Sequence, residues 1–255
     1  MTDSAKHPLE RLPLPGGGEL AVEARGVPAR HREQWVLLHG LGATRRAPLL
    51  RHLLRRLRER GAALLLPDLP GHGASGADPA DLSLAAGLAA LDLLDRRWGR
   101  RGGDLRLVGF SYGGLIAAWW AALHPERVRG LVLGAPAFGF HARLRELAGP
   151  AGWRRARAAG RLELEGPRGP VVVGGRALAE EEEFPSRRLE EELRTPTLVL
   201  HGLEDQSLPW RDSLAFVTAC AAPAELCLLP GAGHTFAGRE EDFFRRLIAF
   251  AQGGA

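Results

Sequence analysis

Leu105-Arg106-Leu107-Val108-Gly109-Phe110-Ser111-Tyr112-Gly113-Gly114, followed by Leu115 to Leu123 (LIAAWWAAL), is the stretch on which the reading of this chain turns. Its first half is a short apolar run that predicts a buried strand, and its second half is an Ala-rich segment that predicts a helix. Between them lies G-x-S-x-G. Glycines two residues to either side of Ser111 have a physical reason. A strand that turns at once into a helix forces an unfavourable backbone at the residue between, and a Cβ at either flank would run into neighbouring chain. Such a turn lifts a hydroxyl clear of the sheet. The bland alternative is a tight turn in a chain holding 33 glycines, and the strand before and helix after separate the two readings.

The same alternation continues on both sides. Trp35 to His39 (WVLLH), Ala63 to Pro67, Val128 to Leu133, Thr197 to His201 and Glu225 to Leu229 predict further buried strands. Arg45 to Arg60, Asp81 to Trp98, Tyr112 to Leu123, Pro209 to Cys220 and Glu240 to Ala251 predict helices. Strands alternating with helices predict an α/β fold with a mostly parallel central sheet flanked by helices. Leu20 to Gly26 (LAVEARG) is the better candidate for an edge strand in the N-terminal stretch. From Ala137 to Arg194 the alternation breaks. Helical spacing runs over Ala142 to Ala159, ELEGPRGPVVV predicts a hairpin turning at Pro167 to Gly169, and an acid run follows at Glu180 to Glu183. This segment, about 137–194, reads as a small cap inserted within one domain spanning 1–255.

A serine hydroxyl is a weak nucleophile near neutral pH until a positioned base takes its proton. Nine histidines compete for that role. His234, in PGAGHTF, follows a predicted strand and precedes the last helix, which puts it on a loop at a strand's carboxyl end, where open α/β sheets build their sites. Asp205, in HGLEDQSLPW, follows another strand and would orient the imidazole, with its neighbour Glu204 as the alternative acid. The chain order Ser111, Asp205, His234 suits a nucleophile on a strand-to-helix turn, whereas His201 precedes the acid. Charge developing on a substrate carbonyl needs fixed donors. The backbone N–H groups of Leu41, in His39-Gly40-Leu41-Gly42, and of Tyr112, at a helix N-terminus, are the candidates for an oxyanion hole. His39 and His72, beside glycine turns, read as braces for those loops.

Five segments together resemble the α/β-hydrolase superfamily: His39 to Gly42, Asp68 to Ser75 (DLPGHGAS), the Ser111 turn, HGLEDQSLPW, and PGAGH at Pro230 to His234. The resemblance covers about Gln34 to Ala251. It implies a sheet of about eight strands, no cofactor, no metal, and catalysis by Ser111, His234 and Asp205. The short cap and HG-x-x-D-x-x-x-P-W-x-x-S look like small-capped carboxylesterases, acyl thioesterases and cinnamoyl esterases more than large-lidded lipases. Tyr112 departs from the Gln, Met or Leu that many relatives carry after the serine, which bears on pocket shape more than mechanism. The expected reaction is hydrolysis of esters or thioesters of small acyl substrates through an acyl-enzyme. Carbon-carbon bond hydrolysis, aminopeptidase and perhydrolase chemistry on the same residues are the rivals, and a non-catalytic binding protein is a further one.

Composition narrows the remaining classes. With 255 residues, 45% hydrophobic, the chain can bury a sizeable core. A net charge of +4 and a pI near 9.9 would suit nucleic acid or anionic membranes. Yet the arginines are dispersed among Glu and Asp, and the leucines of Arg45 to Arg60 repeat at helical spacing, so the basic face reads as solvated. The expected partner is a small-molecule acyl substrate, with no nucleic acid and no membrane, and the oligomeric state stays open between monomer and homodimer. No long apolar span and no apolar leader core appear near the N-terminus, which predicts a cytoplasmic protein. Cys220 and Cys227 lack metal or redox spacing and read as reduced core residues. Trp119 and Trp120 read as core, while Trp153 and Trp210 are candidates to border the pocket.

Overall fold

The computed structural model describes residues 9–15, 17–27, 33–76, 78–99, 105–166 and 169–253. In chain order these form β1 (Glu10–Pro13), β2 (Glu19–Arg25), β3 (Gln34–Leu38), α1 (Pro48–Glu59), β4 (Ala63–Pro67), α2 (Leu84–Trp98), β5 (Leu105–Phe110), α3 (Tyr112–Leu123) and β6 (Val128–Gly134). Then come α4 (Phe140–Ala159), β7 (Arg161–Gly166), β8 (Gly169–Gly174), α5 (Gly175–Ala179), α6 (Ser186–Glu192), β9 (Thr197–Gly202), α7 (Trp210–Ala219), β10 (Ala224–Leu229) and α8 (Glu240–Gly253). Eight strands form one sheet in the order β1-β2-β4-β3-β5-β6-β9-β10. β2 is antiparallel to both its neighbours, and every pairing from β4 to β10 is parallel.

Each strand expected from the sequence forms within a residue or two of its place; β3, β4 and β9 are runs buried on both faces, whereas β10, at the edge of the sheet, is only partly buried. In β3 alternate side chains serve two cores. Trp35 and Leu37 join the cluster with the α1 leucines and Phe243 of α8, while Val36 and Leu38 join the one with α2 and α3. β4, which follows β3 in sequence, lies on one side of it and β5 on the other, so the strand order reverses at β3. A crevice opens at such a reversal, outside the carboxyl ends of the strands.

Two helices start later than the spacing predicted. α1 begins at Pro48, the position where a missing N–H costs nothing. Arg45 stays outside it, buried, with its backbone amide 2.8 Å from Asp68 Oδ1 and its guanidinium paired with the same carboxylate. Leu49, Leu50, Leu53, Leu54 and Leu57 face the core as expected. Before α2, residues 79–81 make a separate 3₁₀ turn capped by Asp78, Leu82 returns to extended backbone, and Ser83 caps the helix proper through the Ala86 amide.

Between β6 and β9 lie α4, β7, β8, α5 and α6, over the segment read from the sequence as a cap. α4 is broken at Gly149 (φ 65°), just before Pro150, where proline removes a helical donor and crowds the preceding turn. β7 and β8 pair antiparallel down to Gly166 opposite Gly169. Pro167 and Arg168 of the predicted turn fall outside the described residues. Glu180, from the acid run, is buried and accepts the Leu84 and Ala85 amides at 2.7 and 3.0 Å, which ties the cap to the N-terminus of α2. A Cβ on Gly174 would come within 1.9 Å of the Ala80 carbonyl oxygen, so β8 is seated directly on the 79–81 turn. Trp119 and Trp120 are core residues at 1% exposure, and the two cysteines are free and partly buried. Among the described residues, no helix is long and apolar enough to cross a membrane.

Candidate active site

Ser111 sits between β5 and α3 with φ 52° and ψ −121°, a conformation that costs a non-glycine residue roughly 1–3 kcal/mol. The surroundings enforce it. Its amide donates to the Gly134 carbonyl (2.9 Å), and its carbonyl accepts the amides of Gly114, Leu115 and Ala137. A Cβ on Gly109 would lie 2.4 Å from the Gly113 carbonyl oxygen, and one on Gly113 would lie 2.2 Å from that of His39. No side chain larger than hydrogen fits either flank of the turn.

The loop after β3 runs against this turn: a Cβ on Gly40 would meet Ser111 Cβ at 2.9 Å. Among the described residues, neither the Leu41 amide nor the Tyr112 amide has an acceptor. Two histidines hold this loop. His39 Nε2 accepts the Leu69 amide (2.8 Å) and its Nδ1–H donates to the Gly40 carbonyl (2.8 Å). His72 Nε2 accepts the Gly42 amide (3.0 Å) and its Nδ1–H donates to the Pro70 carbonyl (3.0 Å). Burial lowers both rings, His39 to about 4, so they stay neutral. With every ring nitrogen engaged by backbone, neither is available to move a substrate proton.

Asp205 and His234 meet because their loops touch. A Cβ on Gly202 would lie 2.1 Å from the Ala232 carbonyl oxygen, and the Glu204 amide donates to that same oxygen at 3.0 Å. His234 Nδ1–H donates to Asp205 Oδ2 at 2.7 Å, so Nε2 is the nitrogen left over. Glu204, the alternative acid, is exposed and contributes its backbone instead. Burial by itself would raise the Asp205 carboxyl. The hydrogen bonds from His201 and His234 and the latter's charge outweigh it and hold the group well below the usual carboxylate range. Behind His234, Phe236 is fully buried at φ 55° and its ring meets Phe110 and Phe243 edge-on at 6.4 and 5.1 Å. An aromatic cluster thus joins the histidine loop to the residue preceding Ser111.

A family model described as the alpha/beta hydrolase fold matches residues 36–170. The chain belongs to the α/β-hydrolase family. It is 28% identical over 250 residues to the pimeloyl-[acyl-carrier protein] methyl ester esterase of Edwardsiella ictaluri, covering 86% of this chain and 93% of that protein. It is 40% identical over 101 residues to the protein of the same name from Chromobacterium violaceum, and there the chain spans only 35% of the relative's length. Among solved structures, alpha/beta hydrolase domain-containing protein 10 from mouse superposes with a TM-score of 0.78 at 20% identity, covering 97% of this chain and 98% of that one. Est1E from Butyrivibrio proteoclasticus with ferulic acid bound gives 0.77 at 20%, covering 96% and 98%. At that identity the likeness is one of fold.

In this member of the family Ser111 and His234 line one cavity of about 200 Å³. It is also lined by Gly40, Leu41 and Phe110, by Pro48 and Leu49 of α1, and by Pro170 and Val171 of β8 in the cap hairpin. A Cβ on Gly42 would lie 2.9 Å from Val171 Cγ2, so the hairpin presses on the loop beside Ser111. Neither Trp153 nor Trp210 lines this cavity, contrary to expectation. Trp153 packs against the core under the Arg145 guanidinium, and Trp210 sits beneath Arg211. The Tyr112 ring lies on Phe140, with centroids 4.5 Å apart, and faces a second cavity of about 190 Å³ under α4. Only its backbone borders Ser111. Among the described residues, no group of three or more His, Cys, Asp or Glu side chains could hold a metal ion.

Sequence reasoning missed the part played by the hairpin tip and by the start of α1, since nothing local says which face of the sheet an insertion will cover. It also set His201 aside. The i, i+4 spacing of His201 and Asp205 across a strand end was the available clue.

Proposed function

We propose that this chain is a serine esterase that hydrolyses carboxylic esters, and by the same chemistry thioesters, of small acyl groups. The observation that carries this reading is the His234–Asp205 hydrogen bond of 2.7 Å beside a cavity shared by His234 and Ser111. The Ser111 hydroxyl attacks the carbonyl carbon as its proton passes to His234 Nε2. The oxygen that becomes negative is held by the Leu41 and Tyr112 amides, worth roughly 3 kcal/mol each by the cost of removing such a donor. Collapse expels the alcohol, which takes the proton from His234, and an acyl group stays on Ser111. Water, deprotonated by the same ring, attacks that ester and frees the acid. Asp205 holds the imidazole in the tautomer this requires.

The mostly apolar cavity of about 200 Å³ is smaller than ligand sites usually are. It suits an aliphatic ester with a compact alcohol, and methyl ester cleavage is what the names of the pimeloyl relatives state. Ser111→Ala should lower kcat on p-nitrophenyl butyrate and on methyl esters of medium-chain acids by at least ~10⁴-fold, with folding unchanged. Full activity in the folded variant would overturn the reading.

A further inference from the structure

Asp205 is held by more donors than the chemistry above requires. Oδ1 accepts the backbone amides of Ser207 (2.8 Å) and Leu208 (3.0 Å). Oδ2 accepts His234 Nδ1–H at 2.7 Å and also lies 3.1 Å from His201 Nε2. His201 is fully buried, one residue from the end of β9. Its Nε2 has a second neighbour, the Leu208 carbonyl oxygen at 3.2 Å, and its Nδ1 is 2.7 Å from Ser213 Oγ on α7. Both neighbours of Nε2 can only accept, so that nitrogen carries the proton, and the Ser213 hydroxyl supports the other side of the ring.

We infer that His201 is a positioning residue for His234, acting through the Asp205 oxygen that both rings share. A carboxylate anchored through one oxygen by two amides can still swing the other about the Cβ–Cγ bond, and the His201 donor fixes where that second oxygen lies. The same donor takes part of the oxygen's accepting capacity, so the His234 imidazolium is held less tightly than by an undivided carboxylate. The other ionisable groups facing this corner are Asp212 on α7, and Arg143 and Glu146 on α4. Arg143 pairs with Glu146 at 2.7 Å and donates to the Ser207 carbonyl, while burial raises Asp212. On the cavity side, His39 is the other titratable side chain beside His234.

The inference rests on the proposed roles of Ser111, Asp205 and His234, and its test separates the two. Replacing His201 by Leu removes the donor, and replacing it by Gln returns an N–H near the position of Nε2. His201→Leu should lower kcat about 10- to 100-fold, the range expected for a misplaced catalytic group, with KM within about threefold. The acidic limb of kcat/KM should move up by about half a pH unit, because Asp205 freed of one donor stabilises imidazolium more. His201→Gln should recover most of kcat and return the limb. Should His201→Leu not fold, Ser213→Ala decides through a smaller shift of the same sign. The imidazole ¹⁵N titration of His234 reads this effect without any turnover. An unshifted His234 titration in folded His201→Leu, or an equal loss in the Leu and Gln variants that follows their melting temperatures, overturns the inference. Failure of wild-type Ser111 to take a fluorophosphonate label would instead overturn the proposed function.

Discussion

Two pairs of histidines flank Ser111, and they are built for opposite ends. His39 and His72, on the loops after β3 and β4, each accept one backbone amide and donate to one carbonyl, so all four ring nitrogens are engaged by the chain. His201 and His234, at the end of β9 and after β10, turn a nitrogen each to a single carboxylate oxygen, and His234 keeps its other nitrogen beside the cavity. All four sit at strand ends near glycine. His201, like the first pair, has both ring nitrogens engaged, by Asp205, the Leu208 carbonyl and Ser213; what sets His234 apart is the one nitrogen left without a partner among the described residues, which follows from the groups around each ring and not from the residue type.

That contrast can be broken by experiment. The largest effect is expected at His234: substitution by Ala should cost about 10³- to 10⁴-fold in kcat while leaving the urea midpoint near wild type, since the side chain lines the cavity and is 26% exposed. His39→Leu should act first on the fold. It strands the Leu69 amide and the Gly40 carbonyl in the interior and should cost about 2–5 kcal/mol, read as a lower urea midpoint. An activity loss at His39 without a stability loss would dissolve the distinction.

A smaller effect comes from pH. The His39 value of about 4 in the folded protein lies below its ordinary 6.5. Between those values the unfolded chain binds a proton that the folded one refuses. Stability is therefore complete above about pH 6.5 and falls as pH drops towards 4, by up to roughly 3 kcal/mol, with His72 adding in the same direction. Asp205, held low, gives up its own contribution only as pH falls below the ordinary carboxylate range. Comparing urea midpoints at pH 7 and 4.5 therefore reads the bracing rings, and His39→Leu should flatten the difference.

How much could be read in advance differs along the chain for reasons of range. Gly109, Ser111 and Gly113 are legible because one tight turn makes all three necessary within five residues. Asp205 was preferred to Glu204 on spacing, and in the structure it is Asp205 that meets His234, while the Glu204 amide donates to the Ala232 carbonyl. The start of α1 was misread because the leucine repeat begins only at Leu49 and does not mark where the helix starts, while Arg45, left outside it, pairs with Asp68, twenty-three residues away. Trp153, in the cap, and Trp210, at the start of α7, were misplaced because nothing local says which way an aromatic faces until the segments around it are seated.

Local chemistry in the sequence determined the parallel α/β sheet, the strained turn at Ser111 and the acid and histidine loops, because alternating apolar runs and glycines with no room for a Cβ act over a few residues. Only the tertiary structure decided where the cap hairpin lands, which histidines spend their nitrogens on backbone, and that His201 shares an oxygen with His234. Those are meetings between segments far apart in the chain, set by how the sheet and its helices pack, and no short window of sequence contains both partners.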